Sequence, residues 1–466
     1  MAPKQILQPT EPVKTHSCPI PFDVIVTVLQ FSNKKTIAQV AVLSPELQVH
    51  CQRLIFKRLC IMSDAHAEEE PEPNGLRRLL SEPNPEVRQR LCPYIQEVQL
   101  GPDNWLGLPP EGRSLSILSP PLLWADLAQL PNLETLHLSW VTFDWSRLEQ
   151  DNLQHLRTVF SRLRELHLYQ TVPIPFSFPF YALLPKLERL DVIDVYQYQS
   201  SMDEASRILK DKLSFINGPP LTMTFPPLHH LAIRGLDTMD KLAVSIPWNS
   251  RNNLCSLKSM HIIYRDNPCF TDVDRASEIV GYFIQSLGRW LTKLELTLER
   301  VYDCGGDLAS TGAFSTLIHL THLNMTLTVD LLRGTLDIAQ GPQWLFISLL
   351  KSLPAKHQLS QLRLTYNRHI ERRHAPLPVA LKPAFEHFLH DLGICLASGF
   401  IGLNMFMLDV HLTLLGKLPS ALPLTSVDRV DNAICPFSFD LSESFRTLID
   451  QKTQISIHVP DYTHVS

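Results

Sequence analysis

One short phrase, Leu-x-x-Leu-x-Leu or a close variant of it, returns along most of this 466-residue chain and constrains the fold more than any other feature. It reads "LETLHL" from Leu133, "LRELHL" from Leu163, "LERLDV" from Leu187 and "LHHLAI" from Leu228. It continues from Leu257 (with Met260 and Ile262), as "LTKLEL" from Leu291, "LTHLNM" from Leu320 and "LSQLRL" from Leu359. Weaker copies start at Ile95 and Leu403. Starts lie from 24 residues apart (Leu163 to Leu187) to 44 apart (Leu359 to Leu403), so the period is irregular. A single copy is weak evidence, because an amphipathic helix produces the same spacing by chance. Eight good copies, several preceded by helical stretches such as "SRLEQDNLQHLRTVF" and "ASEIVGYFIQSLGRWL", predict stacked units, each too small to bury its apolar side alone.

In such an array the apolar positions of each phrase enter a shared core and the residues between them line one face of a parallel sheet. The phrase is the strand signature of a leucine-rich repeat. The fold class expected is therefore α/β: an irregular leucine-rich-repeat solenoid with a parallel sheet, behind a helical N-terminal module. The asparagine that normally follows the third apolar position is mostly replaced, by Val141, Thr171, Val195, Leu236, Arg265, Glu299 and Thr328, and only Asn367 keeps it. That predicts a distorted array; a mixed α/β domain without true repeats is the alternative.

Ahead of the array, "CPIPFDVIVTVLQFSNKKTIAQVAVLS" (Cys18 to Ser44) carries more apolar side chains than a short module can bury. Pro21 suits a first helical turn and Asp23 the positive helix end, so helix one should span Phe22 to Phe31 with Val24, Ile25, Val28 and Leu29 as its stripe. Ile37, Val40 and Ala41 mark a second helix, and Ser44 before Pro45 and Glu46 caps a third that carries Leu47, Cys51, Leu54 and Ile55. An ordinary helical cap on the repeat domain is the plain reading of these three helices. A docking module with a partner is the other.

The residues Ile20, Pro21, Asp23, Val24, Ile25, Val28, Leu29 and Phe31, then Thr36, Ile37, Val40, Val42 and Ser44, then Leu54, Ile55 and Phe56, resemble the F-box motif. The chain departs from that pattern at Pro45 to Leu47, where many F-boxes place a basic residue and an aromatic one. The resemblance implies that the helices bind the Skp-type adaptor of a cullin-based (SCF-type) ubiquitin ligase, with Ile20, Pro21, Asp23, Val24, Ile25, Val28, Leu29, Phe31, Ile37 and Val40 as the contact set. It implies further that the repeats select a protein substrate and that the ligase chemistry lies in other subunits, so this chain would not itself be an enzyme. A repeat scaffold with no ligase association, and less favourably an α/β enzyme, are the alternatives.

The chain divides on this reading into a disordered tail (1–17), the F-box-like module (18–61), an acidic linker loop (62–75) and the irregular repeat domain (76–466). Among the residues between the apolar positions, His137, His167, Tyr169, Arg189, Arg234, His261 and Arg363 are the anchors expected to hold a target on the concave face. His137 and His167 fall in equivalent slots of adjacent strands but lack the cysteine or carboxylate companions of a zinc site, so no metal is expected. No G-x-S-x-G, G-x-x-x-x-G-K or G-x-G-x-x-G occurs, and no cofactor is expected.

With a formal net charge of -5, the chain offers no bulk attraction for nucleic acid or an anionic membrane. Nine scattered cysteines, none as C-x-x-C, fit reduced thiols of the cytoplasm or nucleus, and no apolar run is long enough to predict a membrane span.

Overall fold

The computed structural model describes residues 20–61, 79–80, 84–101, 121–139, 141, 145–146, 149–170, 178–193, 199–214, 226–235, 239, 242, 256–265, 273–299, 305–331, 344–354, 356–371, 378–415, 453–458 and 463–465. The expected tail (1–17) and acidic loop (62–75) lie outside the described residues. The chain opens with three helices, α1 (Phe22–Gln30), α2 (Lys34–Val40) and α3 (Pro45–Phe56). The Asn33 side chain accepts from the Thr36 amide to start α2, and the Ser44 hydroxyl accepts from the Leu47 amide at 3.1 Å to start α3, as its place before Pro45 predicts. Leu29, Ile37, Leu47 and Cys51 form a small core among them, with Ile25, Val40, Leu54 and Ile55 packed on its rim.

Helix α3 leads almost directly into strand β1 (Arg58–Ile61), which pairs with β2 (Glu97–Leu100). The boundary expected at residue 61 is corrected by this pairing: the helical head ends at Phe56, and residues 58–61 are the first strand of the sheet. No leucine phrase announces β1, which is why the sequence hides it.

From β2 the strands follow in chain order, every neighbouring pair parallel: β3 (Thr135–Ser139), β4 (Glu165–Tyr169), β5 (Arg189–Ile193), β6 (His230–Arg234), β7 (Ser259–Arg265), β8 (Lys293–Glu299), β9 (His322–Leu331), β10 (Gln361–Glu371), β11 (Met405–Leu415) and β12 (Gln454–His458). The short β13 (Thr463–Val465) pairs with the far end of β11. All ten phrases, weak ones included, become strands β2 to β11. The result is one repeat-like, solenoid-like α/β sheet.

Register explains the phrase. The second apolar position of each copy pairs with its neighbour, Val98 with Leu136, Leu166, Leu190, Leu231, Met260, Leu294, Leu323, Leu362 and Phe406 in turn, and all are buried. Helices on the connecting segments cover this row: α5 (Pro121–Ala128), α6 (Gln150–Phe160), α7 (Phe178–Ala182), α9 (Val273–Leu287), α11 (Trp344–Ser352) and α12 (Pro378–Gly399); α4 (Pro85–Leu91), α8 (Gln199–Ser214) and α10 (Gly305–Ser310) complete the set among the described residues. Their apolar sides join the strand leucines in one continuous core. Trp124 on α5, Phe160 on α6 and Phe180 on α7 meet edge to face at 5.7 and 6.0 Å, which ties three successive connections together.

Strand length grows along the array. Strands β3 to β6 have five residues each, but β7 and β8 have seven and β9 to β11 ten or eleven, so Arg265, Glu299, Thr328 and Asn367 sit within strands rather than at a turn. Asn367 donates across to the Thr328 hydroxyl at 3.2 Å, a side-chain link between strands in place of a turn.

At the end of β2 the chain leaves the sheet through Gly101, whose φ is +101°. A Cβ there would run into the Ser139 carbonyl of the next unit. Gly101→Ala is expected to destabilise the protein by roughly 2 kcal/mol, measured by urea unfolding at neutral pH. No helix among the described residues is long and apolar enough to cross a membrane.

Candidate functional site

Two surfaces carry the residues singled out from sequence. The first is the head. Ile20, Pro21, Asp23, Val24, Val28 and Phe31 are exposed, with Val28 at 59% and Phe31 at 86%, while Ile25 and Val40 are partly buried on the rim of the small core. Leu29 and Ile37, read from sequence as part of the outward set, point instead into that core, because the three short helices need both to hold together. Sequence reasoning did not place Val42 and Leu43 in the contact set, yet both are more than two-thirds exposed in the turn after α2. Their signal was present: two consecutive apolar residues next to a cap cannot both face inward.

The second surface is the sheet face opposite the helices. Register places His137, His167, Tyr169, Arg189, Arg234, His261 and Arg363 on it together. The middle row of this face runs Gln99, His137, His167 and Asp191 across β2 to β5, and all four side chains are buried. Strands about 4.8 Å apart in register press like-placed side chains against each other, so the row covers itself. The His137 and His167 rings stack 4.1 Å apart and 6° from parallel.

Each end of this stack finds a carboxylate and, outside it, an arginine. His137 Nε2 lies 3.0 Å from Glu97, which Arg58 also meets at 3.1 Å. His167 Nδ1 lies 2.7 Å from Asp191, and Arg189 donates to the same carboxylate at 3.0 Å. His167 Nε2 faces Glu165 at 3.4 Å. Further along, Lys293 meets Glu295 at 2.7 Å with His261 nearby at 3.8 Å, Arg234 meets Glu299 at 3.4 Å, and Arg363 meets Asp409 at 2.8 Å. Arg58 also donates to Gln99.

These pairings set the titration of the face. Burial alone would raise the Asp191 carboxyl, but hydrogen bonds from His167 and Arg189 overcome it and hold the group at about 2. The hydrogen bond from His137 keeps Glu97 low, and burial pushes His137, His230 and His261 below the usual histidine range. A histidine whose folded value is depressed supports folding above its ordinary 6.5 and loses that support as pH falls. The unfolding midpoint is therefore expected to drop between pH 7.5 and 5, and to drop less in His137→Gln, as read by scanning calorimetry.

Ser259 lies 3.1 Å from His230 Nδ1, and His230 Nε2 is 3.7 Å from Asp191, which resembles a serine–histidine–aspartate relay in outline only. The second gap is too long for a hydrogen bond, and Asp191 is already committed to His167 and Arg189. Ser259 also sits in the β6–β7–β8 ladder, and its amide donates to the His229 carbonyl at 3.0 Å. Among the described residues no group of three or more His, Cys, Asp or Glu side chains is placed to hold a metal ion.

No protein-family model matches the chain, and no curated protein matches it. Among solved structures, a crystal structure of a protein from Bacteroides fragilis is similar over 84% of this chain and 70% of its own, with 11% identity and a TM-score of 0.30.

Proposed function

We propose that this chain is the substrate-recognition subunit of an SCF-type ubiquitin ligase, with helices α1 to α3 docking on a Skp-type adaptor and the leucine-rich-repeat-like sheet holding a protein target. The reading rests on the resemblance of residues 20–56 to the F-box motif. The observation that supports it most is the apolar flank of the head: Ile20, Val24, Val28, Phe31, Val42 and Leu43 stay exposed in a chain that buries nearly every leucine of its repeats. Exposed large apolar side chains gathered on one small module are what a protein contact uses. The small core of the helices is filled by other residues, Leu29, Ile37, Leu47 and Cys51, which leaves these side chains exposed.

On this reading the chain contributes proximity. Holding a target beside a charged conjugating enzyme raises the local concentration of an acceptor lysine at the thioester, and no catalytic group is needed on the sheet. The test is affinity purification of the full chain from cells, with the adaptor and a cullin as the expected companions. Recovery of protein partners without either would favour the plain repeat scaffold and reject the ligase reading.

A further inference from the structure

The ion pairs of the polar face share one asymmetry. In four of them the cation is the exposed partner and the carboxylate the covered one: side-chain exposures are 40% and 23% for Arg58 and Glu97, 43% and 5% for Arg189 and Asp191, 49% and 27% for Lys293 and Glu295, and 52% and 10% for Arg363 and Asp409. The positive ends form the outer layer and the negative ends lie beneath. Arg234 and Glu299 run the other way, at 13% and 30%, and Glu165 is 44% exposed beside His167. Lys293 and Arg363 stand two strands apart with His322 and Asn324 between them. Asn324 leaves its buried side-chain oxygen without a hydrogen-bond partner there.

We infer that this face takes an extended acidic segment of the target, its carboxylates seated on Lys293 and Arg363 and on Arg189 further along. The inference rests on the reading of the sheet as the target surface. Screening confines electrostatics to about 8 Å in physiological salt, so the nearest cation tips outweigh the chain's net charge of -5. Arg189 and Lys293 share a row three strands apart, about 14 Å, and Lys293 and Arg363 are about 12 Å apart over two strands and one step up the pleat. An extended chain rises about 3.3 Å per residue, so both gaps match roughly four residues. Positions four apart on an extended chain also face the same side. The ligand is therefore a strand with an acidic residue at every fourth place. Nucleic acid, with one charge per about 1.7 Å of duplex, is far denser than these widely spaced cations over buried carboxylates can match.

Fluorescence anisotropy on the intact protein tests this with synthetic Gly/Ser peptides carrying glutamate, glutamine, lysine or phosphoserine at every fourth position, and with single-stranded RNA. The glutamate peptide should bind at least about tenfold more tightly than the glutamine one, weaken as salt rises, and lose about tenfold in Lys293→Gln. Lys293 is half exposed and Glu295 keeps His261 beside it, so this variant is expected to fold. Equal binding of glutamate and glutamine peptides, binding of phosphoserine or RNA alone, or no binding at all would overturn the proposal. The peptide series uses the unaltered protein and does not depend on any variant folding. Adaptor recovery reads the head separately, so failure here and failure of the ligase reading are distinguishable.

Discussion

Asp191→Ala should lower the stability of the protein by about 3 kcal/mol at pH 7, the cost of breaking a buried ion pair from one side. Asp191 is the shared acceptor of His167 and Arg189 and is itself buried. Removing it leaves a buried imidazole nitrogen without its partner, while half-exposed Arg189 can turn to water, which places the effect at the lower end of the range. The pH dependence identifies the cause. A carboxyl held at about 2 against an ordinary 3.8 stabilises the fold fully above about pH 4 and loses that contribution as pH falls through 4 toward 2. Unaltered protein and variant should therefore differ most near neutrality and converge in acid. Denaturant unfolding at pH 7, 4 and 2.5 measures both, and a constant difference at all three would assign the loss to packing instead.

Val28→Asp with Phe31→Asp should abolish adaptor binding and leave the melting temperature almost unchanged. Both side chains are exposed and neither belongs to the small core of the head, so the folded state loses little. Two charges placed in the middle of a docking surface must be desolvated without partners, which costs several kcal/mol on binding. Leu29→Asp is the instructive contrast. It should also abolish binding, but by melting the head, because Leu29 is 3% exposed. Circular dichroism melts beside a pull-down separate the two outcomes.

The repeat phrase made the sheet legible because every copy repeats one physical requirement, apolar positions on one side of a parallel strand. That is why even the weak copies at Ile95 and Leu403 became β2 and β11. β1 and β12 escaped because an edge strand has one neighbour and needs fewer apolar positions: "RLCI" and "QISIH" carry no leucine phrase. The face of each candidate residue was equally legible from the two-residue period of a strand. Its environment was not. That His137 and His167 would be buried in a stack, clamped by Glu97 and Asp191, depends on which strands become neighbours and in what register, and a phrase within one strand carries no such information. Arg58 and Asp409 were missed for the same reason: each completes an ion pair with a residue 39 and 46 positions away in the chain, respectively.

The account depends on the helical head being completed by another polypeptide. Size-exclusion chromatography with light scattering, on the full chain mixed with purified Skp-type adaptor, weighs that directly. A one-to-one complex that the Val28→Asp, Phe31→Asp variant fails to form is the predicted result. Two separate peaks at micromolar concentrations, with the head folded by circular dichroism, would contradict it.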